Sequence, residues 1–269
     1  MPVLVNGRES AAVDAGDRGL QFGDGLFETM AVRDGRARFF DWHLDRLDRG
    51  ARRLGLQPPD RDELKSQVAR AWPSGRGVVK LIVTRGAGGR GYRPQPGNTP
   101  TVIAAGFDWP ERPASAWADG VCLRYCSTRL ARNPALAGIK HLNRLEQVLA
   151  RMEWNDERIA EGLMLDDLGQ VIGGTQSNLF ATVGGKVVTP LVDQCGVAGI
   201  MRRAFMGWAG EQGVTVVEGL LQPVDLAGAT ELIVTNALIG AWPVRALEER
   251  RMSGGTLAMR FNAWLAECR

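Results

Sequence analysis

Apolar and polar positions recur along this chain with two different periods, and the switches between them mark its elements. Pro2 to Val5 reads as a strand, and Asn6-Gly7 as a two-residue hairpin turn. Gly25 to Val32 and Ala37 to Phe40 flank another turn at Arg33-Asp34-Gly35. From Trp42 to Leu54 the period lengthens: Leu44, Leu47, Ala51 and Leu54 fall at helical spacing, and Gly55 ends the run. Asp60 is placed to cap a second helix that reaches about Trp72, and Val78 to Thr84 and Thr101 to Phe107 read as strands.

Past a stretch of weak periodicity holding Pro110 and Pro113, the pattern resumes with a strand at Val121 to Thr128 and a helix from about Leu142 to Asn155. Strands follow at Gly162 to Asp166, Leu179 to Val183 and Lys186 to Thr189, then a helix at Gly199 to Glu211. A strand at Val214 to Leu220, a short helix near Val224 to Ala227, a strand at Glu231 to Thr235 and a last helix at Gly255 to Glu267 complete the reading. Strands neighbour strands more often than they alternate with helices, so the fold class is α+β rather than a doubly wound parallel sheet. Residues 1–110 are expected to form a smaller N-terminal α+β domain, 111–119 a linker, and 120–269 a larger C-terminal α+β domain.

Composition narrows the function. With 269 residues, 45% hydrophobic and 23% charged, the chain has the make-up of a globular protein with a sizeable core. A net charge of +3, with arginines interleaved among acids, offers no basic stripe for nucleic acid. No apolar run is long enough to span a bilayer, and the first residues lack the charged-then-apolar order of a signal peptide. Cys122, Cys126, Cys195 and Cys268 have no metal-type spacing, and two histidines make a zinc site a poor expectation, so no metal is expected. Free thiols suit the cytoplasm.

The segment Gly86-Ala87-Gly88-Gly89-Arg90-Gly91 follows a strand and matches a dinucleotide fingerprint in letters only. Such a fingerprint must open a helix whose N-terminus holds the pyrophosphate, and Tyr92-Arg93-Pro94-Gln95-Pro96-Gly97 cannot start one. The alternatives are a loop that carries Arg90 and Tyr92 over a pocket, or a plain glycine-rich connection.

Lysine is scarce: the chain has four, at positions 65, 80, 140 and 186, among 33 cationic side chains. Lys140 lies in an apolar stretch, Ala137-Gly138-Ile139-Lys140, before an expected helix. An amine there can act as nucleophile or base, whereas a guanidinium does not deprotonate in proteins. Its rival, Lys80, alternates with apolar neighbours as a residue on the polar face of a strand would. Gly196-Val197-Ala198-Gly199-Ile200-Met201-Arg202 is a glycine-bearing turn that opens a helix, either an ordinary helix start or a site for an anionic group on its backbone N–H groups. Arg46 sits on an amphipathic helix one turn after His43, where a surface ion pair is the plain account.

Taken together, Gly23-Asp24-Gly25-Leu26-Phe27-Glu28-Thr29, His43-x-x-Arg46-Leu47, the run Arg132 to Gln147 around Lys140, and Gly199-Ile200-Met201-Arg202 resemble the fold-type IV pyridoxal-phosphate enzymes. These have a two-domain, D-amino-acid-aminotransferase-like fold and include branched-chain aminotransferases, D-amino-acid aminotransferases and aminodeoxychorismate lyases. The run Arg132 to Gln147 and the loop Arg85 to Tyr92 are similar specifically to the bacterial lyases. The resemblance implies pyridoxal 5'-phosphate as cofactor and Lys140 as the residue that bonds it and then moves protons. It implies Arg46, the amides near Gly199, Ile200 and Met201, and the loop at Asn236 as holders of the cofactor phosphate. Phe27 and Thr29 fall on the strand that faces the cofactor, with Thr29 a candidate hydroxyl near the leaving group. Arg90 and Tyr92 fall on a loop near the substrate, which in such enzymes often reaches across a homodimer.

One departure stands out. Where the family usually carries a glutamate that pairs with the cofactor's pyridine nitrogen, this chain has Gly173. A carboxylate there keeps the ring protonated and a strong electron sink. Its loss should weaken an aminotransferase more than a lyase whose product gains aromaticity. The expected reaction is therefore conversion of 4-amino-4-deoxychorismate, a small molecule, to 4-aminobenzoate and pyruvate in folate biosynthesis. A fold-type IV aminotransferase, or a non-catalytic binding protein on the same fold, are the alternatives.

Overall fold

A computed structural model describes residues 2–268. The chain gathers into two compact units: one runs up to Pro110 and takes in Ile139–Asn143, and the other comprises Glu111–Gly138 and the chain from Arg144 onward.

The first unit is a six-stranded antiparallel sheet with two long helices. Its elements are β1 (Val3–Val5), β2 (Arg8–Glu9), α1 (Arg18–Phe22), β3 (Gly25–Arg33), β4 (Arg36–Ala37), α2 (Phe40–Leu54), α3 (Arg61–Ala71), β5 (Arg76–Thr84) and β6 (Thr101–Asp108), in the sheet order β2-β1-β6-β5-β3-β4. Side chains alternate across a strand, so Leu26 and Met30 of β3 and Val79, Leu81 and Val83 of β5 are buried, as are Leu44, Leu47 and Ala51 of α2 and Leu64 and Val68 of α3. Asp60 caps α3 by accepting from the N–H groups of Asp62 and Glu63, as its position foretold. Gly55 ends α2 in a left-handed conformation.

The second unit holds α4 (Ser115–Ala118), β7 (Val121–Leu130), α5 (Leu145–Arg151), β8 (Ile159–Asp166), β9 (Val171–Gly174), β10 (Asn178–Val183), β11 (Lys186–Pro190), α6 (Ile200–Glu211), β12 (Val216–Gly219), α7 (Pro223–Ala227), β13 (Glu231–Asn236), β14 (Gly240–Leu247), β15 (Arg250–Arg251) and α8 (Thr256–Glu267). Its nine-stranded sheet runs β12-β11-β10-β13-β14-β7-β8-β9, with β15 on β14. Three of its pairings, β11 with β12, β14 with β7 and β7 with β8, are parallel. A ring cluster of Phe180, Phe205, Trp208 and Phe261 packs β10 against α6 and α8, with neighbouring centroids 4.3–5.4 Å apart.

The elements depart from the sequence reading in specific places. Residues 111–119, expected as a linker, carry α4, whose Trp117 stacks edge-on to Trp242 at 5.6 Å. The strand expected at Ala37 to Phe40 stops at Ala37, because Phe39 turns left-handed (φ 53°) and stacks on Trp42 to start α2. The helix expected from Leu142 begins only at Leu145. β14 escaped the periodicity because it contains Pro243, yet it lies inside the sheet; a register shift between Val244 and Ala246 on its β7 side marks the irregularity. Lys140, expected on the larger C-terminal domain, packs with the first unit.

Candidate active site

Lys140 owes its place to the free edge of β3. The Phe27 N–H donates to the Lys140 carbonyl at 2.9 Å, the Leu142 N–H donates to the Gly25 carbonyl at 3.0 Å, and Leu26 bridges to His141. Two glycines of the Gly23-Asp24-Gly25 motif make room for this docking. A Cβ on Gly25 would stand 2.8 Å from Leu142 Cδ1, and one on Gly23 would stand 2.4 Å from Asn143 Oδ1. The motif and the lysine run, 115 or so residues apart in sequence, are therefore two halves of one close approach. Lys140 is half-buried, and its Nζ lies 4.4 Å from the centroid of the Phe27 ring.

Lys80 shares that ring. Its Nζ is 5.2 Å from the same centroid, and its Cα pairs across the sheet with Thr29. Phe27, Thr29 and Lys80 thus line one face of the β3–β5 pair, with a second ammonium on the ring that Lys140 uses. In sequence Lys80 is an ordinary polar-face residue; its nearness to Lys140 depends on a segment docked from far along the chain.

On the opposite face of β3, Glu28 is fully buried and meets two residues of α2. The Arg46 Nε donates to Glu28 Oε1 at 2.7 Å, Arg46 Nη2 donates to Oε2, and His43 Nδ1 lies 2.6 Å from Oε2. Arg46 is 5% exposed, so the surface ion pair of the plain account gives way to a buried, two-pronged one. Burial alone would raise the Glu28 carboxyl, but the Arg46 charge, His43 and their hydrogen bonds pull it down to about 2. His43 is lowered from its ordinary value, chiefly by burial and further by Arg46 and Lys140, against the pull of Glu28. A neutral His43 then donates from Nδ1 to the carboxylate, and Glu28 fixes the plane of the Arg46 guanidinium. The sequence signal was available: Glu28 falls on the buried parity of β3, between Leu26 and Met30, where a charge requires a partner.

Arg90 and Tyr92 lie on the loop between β5 and β6, and both are exposed.

In the second unit, the turn Gly196 to Gly199 leads into α6. Gly199 is the N-cap, in extended conformation, and no side chain caps the helix. A Cβ at Gly199 would fall 2.0 Å from Asn178 Oδ1, so this turn accepts only glycine in its present course. Asn178 holds the turn through its Nδ2, which donates to the Val197 carbonyl at 2.8 Å. Gly138, two residues before Lys140, donates to the Gly196 carbonyl and accepts from the Ala198 N–H, each at 3.0 Å. Asn178 also pairs with Thr235 in the β10–β13 register. Thr235 is fully buried, and its hydroxyl has no hydrogen-bond partner. The neighbouring Asn236 uses its Oδ1 to accept from the N–H groups of Leu238 and Ile239, both at 3.0 Å, and so shapes the β13–β14 turn. Sequence pattern singles out Asn236 but not Thr235, a hydroxyl at the end of an apolar strand.

Gly173 lies in β9, where a Cβ would come 2.8 Å from the Ser177 carbonyl oxygen. The carboxylate beside this turn is that of Glu161, which is buried. Its Oε1 accepts from the N–H groups of Gly162 and Thr175 and from Thr175 Oγ1, and its Oε2 from Gln176 N–H and Ser177 Oγ. Five donors saturate it, and it serves to wrap the turn that presents Asn178.

Within the first unit the fold thus brings Lys140, Phe27, Thr29 and Lys80 to the edge and one face of β3, with Arg46 behind them. Within the second it brings Gly199, Ile200 and Met201 beside Asn178, and Thr235 and Asn236 to the end of β13.

Residues 25–247 match the family model described as amino-transferase class IV, and the chain belongs to that family. Among its relatives, aminodeoxychorismate lyase of Vibrio harveyi is 36% identical over 245 residues, covering 90% of each chain. The crystal structure of 4-amino-4-deoxychorismate lyase from Pseudomonas aeruginosa is 45% identical and superposes with a TM-score of 0.94 over 98% of both chains. A putative branched-chain-amino-acid aminotransferase of Methanocaldococcus jannaschii is 32% identical over 262 residues, covering 93% of this chain and 89% of the relative. The α+β, fold-type IV architecture read from the sequence is the one these likenesses carry.

Proposed function

We propose that this chain is a pyridoxal 5'-phosphate-dependent aminodeoxychorismate lyase, which converts 4-amino-4-deoxychorismate to 4-aminobenzoate and pyruvate on the way to folate. The observation that carries the reading is the half-buried Lys140 amine held over Phe27, within a run like that of the bacterial lyases. Similarity to two lyases over at least 90% of the chain supports it.

The residues fit the cofactor. An aldehyde needs an amine, which Lys140 supplies. A phosphate needs donors without partners of their own: α6 has an uncapped N-terminus behind a glycine, and the Thr235 hydroxyl is buried and unpaired. The N–H groups of Ile200 and Met201, the turn at Asn236 and the Arg46 guanidinium are the other ligands in this reading. When bound, the cofactor supplies an electron sink that acidifies the carbon bearing the substrate amine.

The chain's own residues do the rest. Lys140 takes the proton from the amine-bearing ring carbon, the C–O bond to the enolpyruvyl group breaks, and the ring becomes aromatic. The departing enolpyruvate gains a proton and leaves as pyruvate. Thr29, on the Phe27 face, is the hydroxyl assigned to the leaving group. Arg90 and Lys80 are the cations for the substrate carboxylates, and Tyr92 borders the same site. Gly173 in place of a carboxylate suits an elimination driven by aromaticity better than reversible amino transfer.

The protein is read as a cytoplasmic homodimer. Leu145, Val148, Leu149 and Met152 recur at helical spacing along and just past α5 and are all more than half exposed, an apolar stripe that a second copy would cover. Cys122, Cys126 and Cys195 are free thiols, in keeping with a reducing compartment, and no helix among the described residues is long and apolar enough to cross a membrane. Sedimentation of the purified protein tests the dimer; a monomer at micromolar concentration would overturn it.

A class IV aminotransferase is the second reading, favoured by the similarity to the Methanocaldococcus relative. One assay separates the two. Release of pyruvate from 4-amino-4-deoxychorismate without a keto acid supports the lyase, and amino transfer to a keto acid without such release overturns it.

A further inference from the structure

The loop between β5 and β6 is held by one guanidinium. Arg18 is 3% exposed; its Nη1 donates to the Gly91 carbonyl and its Nη2 to the Tyr92 carbonyl, each at 2.8 Å. Both acceptors are backbone oxygens, so the tether fixes the course of the loop and leaves the Arg90 and Tyr92 side chains outside. The stem of Arg18 runs under the glycines. A Cβ on Gly88 would lie 2.8 Å from Arg18 Cδ and 3.0 Å from Asn98 Nδ2. The guanidinium stands 4.8 Å from the Phe22 ring centroid, and Phe22 meets the Tyr92 ring edge-on at 5.5 Å.

A single carboxylate anchors this arrangement. Asp24 accepts from Arg18 Nε at 3.0 Å, and from Arg85 Nε at 2.7 Å and Nη2 at 3.0 Å. Arg85 in turn donates to the carbonyls of Leu54 and Gly55 at the C-terminal end of α2, the helix that carries Arg46. Asp17 braces the start of α1: its Oδ1 accepts from the Gly19 N–H at 2.7 Å and its Oδ2 from Thr84 Oγ1 at 2.8 Å, and the Arg18 N–H donates to the Gly86 carbonyl at 3.0 Å. The glycine-rich segment that imitates a dinucleotide fingerprint is thus shaped by the side chain of Arg18.

We propose that Arg18, anchored by Asp24, is a positioning residue that sets the loop of Arg90 and Tyr92 for substrate binding. The proposal rests on the reading of that loop as the substrate side of a lyase. A planar fork with donors on three nitrogens can hold one carboxylate and two successive carbonyls together; a lysine ammonium cannot match that geometry. With the tether cut, Asp24 keeps Arg85 as its partner, so the unit retains its fold while the loop loses two charge-assisted hydrogen bonds.

Arg18→Met in the cofactor-loaded enzyme tests this, read by trypsin cutting after Arg90 and by steady-state kinetics of pyruvate release. The expected result is cutting about tenfold faster or more, a KM raised about tenfold, kcat within about twofold and an unchanged cofactor absorbance, as loss of more than 1.4 kcal/mol of loop fixation dictates. Gly88→Ala reaches the same tether without removing a charge and should move both readouts the same way, more weakly. Unchanged cutting in both variants, or faster cutting with unchanged KM, would overturn the proposal. So would a loss of cofactor absorbance in step with kcat, the mark of a general structural defect. A wild-type enzyme that releases no pyruvate would overturn the assigned reaction instead, and the cutting rates would still report whether Arg18 holds the loop.

Discussion

Phe27 engages Lys140 twice: its backbone N–H donates to the lysine carbonyl at 2.9 Å, and its ring centroid lies 4.4 Å from the lysine Nζ. The first contact sets where the segment runs, and the second sets where its amine points. A cation over a ring face is worth roughly 0.5–2 kcal/mol. Phe27→Leu keeps the backbone bond and most of the volume but removes the ring's quadrupole. We expect kcat for pyruvate release to fall about three- to tenfold with the fold intact, checked by kinetics beside circular dichroism.

Lys80 stands 5.2 Å from the same ring and opposite Thr29, and the proposed reaction gives it a substrate carboxylate to bind. Lys80→Met should raise KM about tenfold and leave kcat within about threefold, the pattern of lost binding rather than lost chemistry. A fall in kcat at unchanged KM would move Lys80 into the proton transfers instead.

Gly199 has its missing side chain's place taken by Asn178 Oδ1, 2.0 Å from where a Cβ would be. Gly199→Ala must displace either the turn or Asn178, and both bear on the α6 amides. Cofactor affinity, followed by absorbance during dilution, is expected to weaken about tenfold or more. Arg46→Ala should do the same through the first unit, and in addition leaves the buried Glu28 without its main counter-charge, which costs about 3–5 kcal/mol of stability.

Glu28 makes stability depend on acid in a definite direction. Its folded carboxyl is depressed to about 2 from an ordinary 4.5, so its contribution is complete above about pH 4.5 and is lost as pH falls from there toward 2. His43 is lowered below its ordinary 6.5, so the unfolded chain takes that proton first and stability also declines as pH drops through 6.5. Glu28→Gln removes the carboxyl's share. Urea unfolding at pH 7 and pH 3.5 should find the wild type more stable than the variant at pH 7, with the gap narrowed by on the order of 1 kcal/mol at pH 3.5.

Much of this was legible in the sequence because it depends on local pattern. The amphipathic α2, the Asp60 cap and the strands β5 and β6 follow from period and capping chemistry. Lys140 stood out because lysine is rare in this chain. What escaped depends on contacts between distant segments. Lys80 reads as a routine polar-face residue until the Lys140 segment docks beside β3. Thr235 looks like one more β-branched strand residue until its hydroxyl is seen buried without a partner. Pro243 concealed β14, since a proline inside a sheet is the exception. The buried triad of Glu28, His43 and Arg46 was half visible: its letters marked a family, but only the fold turns a presumed surface arginine inward.

The measurement that bears most directly on the account is pyruvate formed from 4-amino-4-deoxychorismate by the cofactor-loaded wild type and by Lys140→Ala, with 4-aminobenzoate measured in the same samples. The account predicts equal amounts of the two products from the wild type without added keto acid, and at least a thousandfold loss in the variant, in which the proton-transferring amine is gone. Pyruvate release by Lys140→Ala within tenfold of wild type would contradict it.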